Sequence, residues 1–190
     1  MLSDLQRAKL TRLFHLMDAD GNGRMEAADL DRIALDLAAH RGWEPESAGA
    51  RALRDAYGEM WRQLEPYVSG DGLTLDGFVA YHERLLPEPD AFEASIGRLS
   101  GLVFSSLDGD DDGRITLEEH RRFCEIFNFD PSLADAIFPM WDKDASGYVS
   151  TEELAAVTRQ FFYSSDARDA GNWLFGPMAS SLEEIRRPRD

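Results

Sequence analysis

Oxygen-bearing side chains recur at alternate positions from Asp108 to Glu119. Asp108, Asp110 and Asp112 stand first, third and fifth in this run, and Glu119 closes it at the twelfth place. A hard divalent cation asks for such a set. Calcium takes roughly 6–8 oxygens at about 2.3–2.6 Å, and alternate residues of a wrapped loop point inward to supply them. Gly113 in sixth place permits the sharp turn. The backbone carbonyl of Arg114 in seventh place is the next expected ligand, which frees its side chain to be basic. Glu119 would reach in from the first turn of the following helix and grip with both oxygens. The run holds no sulfur or nitrogen ligand, which argues against zinc.

The same frame fits two other runs. Asp142–Glu153 offers Asp142, Asp144, Ser146, the Tyr148 carbonyl, Ser150 and Glu153, with Gly147 at the turn. Asp18–Asp29 offers Asp18, Asp20, Asn22, the Arg24 carbonyl, Glu26 and Asp29, with Gly23 at the turn. Each run follows the same lead-in: "FHLMD", "FSSLD" and "FPMWD". Such repetition marks a shared supersecondary unit. Three calcium ions are therefore expected. The run at Asp18 differs in its last ligand, because Asp29 is one methylene shorter than glutamate. A single-oxygen grip would favour six-coordination, so this loop is expected to bind calcium more weakly or to exchange with magnesium.

A fourth stretch, "EPYVSGDGLTLDGF" from Glu65 to Phe78, has glycines and acids but no workable frame. In the three regular units the leading aromatic and the eighth loop residue are eleven apart, as Phe104 and Ile115 are; from Trp61 to Leu73 the gap is twelve. Counting back from Leu73 puts Pro66, Val68 and Gly70 at ligand places. Counting forward from Glu65 recovers Asp76 but puts Tyr67 and Gly72 at wrong ones. This loop is read as structural. Its Leu73 is expected to pair with Met25 in a two-strand ribbon, as Ile115 should with Val149.

Helices must hold these loops. Leu2, Leu5, Leu10, Leu13, Phe14 and Met17 share one face before the first loop, and Leu30, Ile33 and Leu37 follow it at helical spacing. A third helix is expected from near Pro45 to Leu64, and others over 78–85, 91–107, 117–127, 132–141 and 151–162. The aromatics Phe14, Trp61, Phe78, Tyr81, Phe92, Phe104, Phe123, Phe127, Phe138, Trp141, Phe161 and Phe162 are expected in the core. The fold class is all-α: four helix–loop–helix units in two pairs packed into one compact domain, with short β-ribbons between paired loops. The N-terminal pair spans 1–86 and the C-terminal pair 91–163. A tail, 164–190, would pack through Trp173, Leu174 and Phe175 and then fray at "EEIRRPRD".

The chain has 190 residues and 36 acidic against 20 basic ones, a formal charge of −16. That repels nucleic acid and anionic membranes and attracts cations. No segment approaches the ~20 apolar residues of a bilayer span, so no membrane insertion is expected. The single cysteine, Cys124, rules out an intramolecular disulfide and fits a reducing, cytoplasmic setting. The chain is expected to be a monomer.

The three loops carry the pattern D-x-[DN]-x-[DNS]-G and thereby resemble the EF-hand superfamily. The order working, broken, working, working is similar to the calerythrin and sarcoplasmic calcium-binding protein group. The resemblance implies two face-to-face pairs and intracellular calcium buffering, without catalysis. The alternative is a calcium sensor that docks a protein partner or a small apolar ligand. Sensors use flexible Met-rich grooves, whereas the apolar faces here are aromatic. Luminescent photoproteins also resemble this layout and use His with Trp and Tyr. The four histidines His15, His40, His82 and His120 are scattered, so photoprotein chemistry is not expected.

Overall fold

The computed structural model of the protein describes residues 1–127 and 129–177. The charged end "EEIRRPRD" lies outside them. Nine helices are found among the described residues: α1 (Asp4–Met17), α2 (Ala27–His40), α3 (Ala48–Leu64), α4 (Leu75–Leu85), α5 (Pro89–Phe92), α6 (Arg98–Leu107), α7 (Leu117–Ile126), α8 (Ala134–Trp141) and α9 (Thr151–Tyr163). A π-helical turn, Glu93–Gly97, joins α5 to α6 without a break. The two prolines of "LLPEPDAF" therefore interrupt the chain only between Leu85 and Pro89, and Pro89 opens the next helix, where its missing N–H costs nothing.

The helix starts follow capping chemistry more closely than proline positions. α3 begins at Ala48, not near Pro45, because the Ser47 hydroxyl accepts the Ala50 N–H at 3.2 Å. α4 begins at Leu75, three residues before Phe78, because Thr74 caps Gly77. The helix expected from Ser132 opens as a 3₁₀ turn over Pro131–Leu133, with Asp130 accepting the Ser132 N–H.

Two short strands form among the described residues. β1 (Arg114–Ile115) and β2 (Val149–Ser150) pair antiparallel with Ile115 opposite Val149. Met25 and Leu73 form the matching bridge in the N-terminal half, with Met25 N–H donating to Leu73 O at 2.8 Å and Leu73 N–H returning to Met25 O at 2.9 Å. All four of these residues are buried, so each bridge joins two loops and also closes the core beneath them.

One continuous apolar core runs through both halves. The expected aromatics are buried in it with one exception, Trp61, which is only partly buried. The buried stripe of α3 is Ala50, Leu53, Tyr57, Met60 and Leu64, spaced three or four apart, and Trp61 sits one place off it. After α9 the chain doubles back. A 3₁₀ turn, Ala170–Trp173, lies on α9, and Trp173 and Leu174 are buried against the core. Gly171 makes this approach possible, since a Cβ there would stand 2.5 Å from Phe161 N and 2.6 Å from Val157 O. A cavity of about 80 Å³ remains where the halves and the tail meet, lined by side chains such as Met60, Phe78, Leu99, Phe123 and Phe162. No described helix is long and apolar enough to cross a membrane.

Candidate metal centres

Each acidic run folds as the frame requires. The incoming helix ends at the residue before the first ligand: α1 at Met17, α6 at Leu107 and α8 at Trp141. The fourth loop residue is left-handed in all three, at Gly21 (φ 69°), Asp111 (φ 59°) and Ala145 (φ 56°), and so is the sixth, at Gly23 (φ 80°), Gly113 (φ 78°) and Gly147 (φ 89°). A sixth-place glycine is needed because side chains rarely tolerate that backbone. Its N–H then points back at the first ligand. Gly23 donates to Asp18 Oδ2 at 2.8 Å, Gly113 to Asp108 Oδ2 at 2.8 Å and Gly147 to Asp142 Oδ2 at 2.9 Å.

Carboxylates converge in two of the loops. Asp108, Asp110 and Asp112 place ligand oxygens within 4.8 Å of one another, as do Asp142, Asp144 and Glu153. In both loops the fifth residue's N–H reaches the first ligand: Asp112 N to Asp108 Oδ1 at 3.1 Å and Ser146 N to Asp142 Oδ1 at 2.9 Å. Asp144 is held below the ordinary aspartate range by hydrogen bonds from Ser146. Burial pushes Glu153 up, but donors on Ser150 and Lys143 outweigh it and hold the carboxyl below its ordinary value.

The last carboxylate separates the first loop from the other two. Glu119 spans its loop: Oε1 accepts the Gly109 N–H at 2.6 Å, while Oε2 accepts the N–H and hydroxyl of Thr116, both at 2.8 Å. Glu153 does the same with Lys143 N at 2.9 Å and with Ser150 N and Oγ at 2.9 Å. Asp29 makes only the near contact, accepting the Glu26 N–H at 2.8 Å. Asn22 N–H goes to Asp20, not to Asp18. As a result Asp18 is buried with its Oδ1 unpartnered. A buried carboxylate oxygen without a donor is costly unless a cation meets it. The oxygen-only sets of all three loops, and this orphaned oxygen most pointedly, fit a hard divalent ion. The Arg24, Arg114 and Tyr148 side chains stand clear of the ligand oxygens. Arg114 stacks on Tyr148 at 4.2 Å, and Arg24 donates to Ser69 O at 3.0 Å.

The fourth loop gathers no such set. Glu65–Tyr67 is a 3₁₀ turn and Ser69 bridges to Gly72. A Cβ on Gly77 would meet the Tyr67 carbonyl at 2.6 Å, so the loop's two ends close on each other. Its contribution is to brace the first loop, through Leu73 to Met25 and Ser69 to Arg24.

Two groups of residues bearing on the sites have no signal in the loop pattern. Arg41, at the end of α2, is mostly buried and ion-pairs with the exposed Asp111 in the third loop at 2.8 Å, tying the two halves together. Gln6, Lys9 and Arg12 of α1 reach the far end of α9 and the tail. α1 also carries Asp4, Arg7, Thr11 and His15, so nothing in its sequence sets these three polar residues apart.

Residues 101–159 match the family model described as an EF-hand domain pair. The chain is similar to calerythrin of Saccharopolyspora erythraea, with 29% identity over 86% of this chain and 95% of that protein. It is also similar to a sarcoplasmic calcium-binding protein of Perinereis vancaurica tetradentata, with 27% identity over 70% of this chain and 76% of that one. Among solved structures, a Streptomyces coelicolor calcium-binding protein described in prokaryotic calcium-mediated regulation superposes with a TM-score of 0.68, at 25% identity, over 83% of this chain and 97% of that chain. Residues 101–159 thus form an EF-hand domain pair, within a chain whose fold and sequence are similar to those of calerythrin and the sarcoplasmic calcium-binding proteins.

Proposed function

We propose that this protein is a calcium buffer with three sites, Asp18–Asp29, Asp108–Glu119 and Asp142–Glu153, the first the weakest and open to magnesium. The observation that carries the buffering role is that the apolar faces of the helices are already closed over one another. Met1, Leu35 and Tyr163 are the large apolar side chains left exposed among the described residues. Trp173 and Leu174 fill the space that an opening pair would need. Each bound ion cancels two units of the formal charge of −16 and relieves repulsion within a loop, so calcium should stabilise the fold. In this reading 1–86 and 91–163 are the two pairs, the protein works as a monomer in the cytoplasm, and it has no catalytic role.

One observation favours a second reading, a calcium-dependent carrier of a small apolar ligand. His82 Nε2, both ring nitrogens of His120 and Trp141 Nε1 are buried without partners, and these residues line the central cavity. Calcium titration followed by an environment-sensitive dye separates the two. A buffer shows three binding events and no new dye-accessible surface. A strong calcium-dependent rise in dye fluorescence, or an organic molecule found by mass spectrometry in the purified protein, overturns the simple buffer.

A further inference from the structure

The last turn of a helix leaves up to four carbonyls without a partner. At the end of α9, side chains of α1 from the opposite end of the chain donate to such carbonyls, to Ser164 O just beyond the helix, and to Gln160 O, which also accepts the Ser164 N–H. Gln6 Nε2 donates to Phe162 O at 3.0 Å and Tyr163 O at 3.3 Å. Lys9 Nζ donates to Gln160 O at 3.0 Å and Ser164 O at 2.9 Å. Arg12 Nε donates to Phe175 O at 3.1 Å, which adds the tail. The three donors are spaced three residues apart and so lie on one face of α1.

Lys9 is the centre of this contact. It is fully buried, at 0% exposure, and its ammonium lies 5.6 Å from the Phe161 ring. Burial pulls it down to about 8, opposed by the charge of Asp169, so at neutral pH it stays mostly protonated. A cation at this end of α9 also meets the negative pole of the helix. Burying a lysine is costly unless its ammonium is hydrogen-bonded or paired.

The two helices joined here each carry a metal ligand at the other end. α9 begins with Glu153 in its first turn. α1 runs directly into Asp18, whose carboxylate oxygen is the buried and unpartnered one. A nearly rigid path therefore runs from Glu153 along α9, across Lys9, and along α1 to Asp18. We propose that Gln6, Lys9 and Arg12 are positioning residues through which an ion at Asp142–Glu153 raises the calcium affinity of Asp18–Asp29. An ion at the later loop fixes Glu153 and the axis of α9, the carbonyls at its far end hold α1, and α1 sets Asp18 where its free oxygen meets a cation. By linkage the reverse holds too, and calcium at Asp18 tightens the later site by the same factor.

This inference rests on the calcium reading above, and calorimetry with silenced sites keeps the two apart. In a Glu119→Gln background the first and last sites remain. Adding Glu153→Gln leaves the first site alone. We expect its calcium affinity to fall about tenfold when the last site is lost, a typical size for coupling between sites. Lys9→Met, which keeps the stem and removes the donors, should make the two affinities equal. A residue that merely supports the fold would lower both affinities and leave their ratio unchanged. A ratio near one with Lys9 intact, or a tenfold ratio that survives Lys9→Met, overturns the proposal. Absence of calcium binding altogether would instead overturn the calcium reading. If Lys9→Met does not fold, Gln6→Leu is read in the same way, since Gln6 is only half-buried and its donors serve the same carbonyls.

Discussion

Replacing Asp29 with glutamate should strengthen the first site. The size of the effect follows from comparing the three loops. Glu119 and Glu153 each hold two anchor points, the N–H of the ninth loop residue and that of the second. Asp29 holds only the first, at 2.8 Å from Glu26 N. The missing reach is one methylene, and with it goes the second carboxylate oxygen as a ligand. A charged hydrogen-bond or ligand contact of this kind contributes about 1.5–3 kcal/mol net. Taking about 2 kcal/mol, calcium affinity at this site should rise roughly thirtyfold. Magnesium should compete less well, because a bidentate carboxylate moves the site away from octahedral geometry. The assay is calorimetry in a chain carrying Glu119→Gln and Glu153→Gln, with and without magnesium, so that only the first loop reports. An unchanged calcium affinity together with unchanged magnesium competition would refute the reasoning from reach.

Other outcomes follow from single contacts. Leu73→Ala removes a fully buried side chain opposite Met25 and should cost about 2–4 kcal/mol of stability; it should also weaken calcium at Asp18–Asp29 while no ligand is changed, and a first-site affinity equal to that of the parent would show that the bridge does not brace the loop. Gly171→Ala forces a methyl against Phe161 N and should lift the 3₁₀ turn from α9. Thermal unfolding should then start at lower temperature and proteolysis should enter the tail first; a parent-like melting curve counts against this. His82 is buried with its Nδ1 bonded to Phe78 O at 2.9 Å, and burial holds its pKa at about 4, well below the ordinary 6.5. The unfolded chain therefore binds the proton first, and stability should fall as pH drops from 6.5 toward 4. Between pH 6.5 and 5 this one group accounts for about 1.5 kcal/mol. Urea unfolding of calcium-free His82→Phe should lose that much less over the same interval, and an identical pH slope would remove His82 from the account.

The metal loops were legible because a cation imposes its spacing on consecutive residues, and consecutive residues are what a sequence displays. Leu73 was legible for the same reason, since the repeat fixed its place even though the loop had gained a residue. Helix starts were less so: Ser47 and Thr74 outrank Pro45 and Phe78 because a hydroxyl that meets a free N–H decides where a helix begins. Lys9 escaped the reading of α1, although Leu10, Leu13, Phe14 and Met17 are buried as expected. The apolar stripe placed Leu2 and Leu5 on the buried face, yet both are only partly buried, while Lys9 is enclosed. Its partners lie more than 150 residues away, at the end of a helix whose need for donors appears only once the chain is folded. Arg41 and Asp111 are hidden likewise, because their pairing depends on how the halves pack and not on either local pattern.

The cavity between the halves makes volume a thermodynamic variable for this protein. A cavity of about 80 Å³ is about 50 mL per mole of void, and the volume lost on unfolding scales with such voids. Hydrostatic pressure should therefore act on the junction of the halves. Enlarging a lining side chain, as in Val103→Leu, should reduce the volume change measured by pressure unfolding. The compressible part of the molecule would then be the seam at which its metal sites are joined.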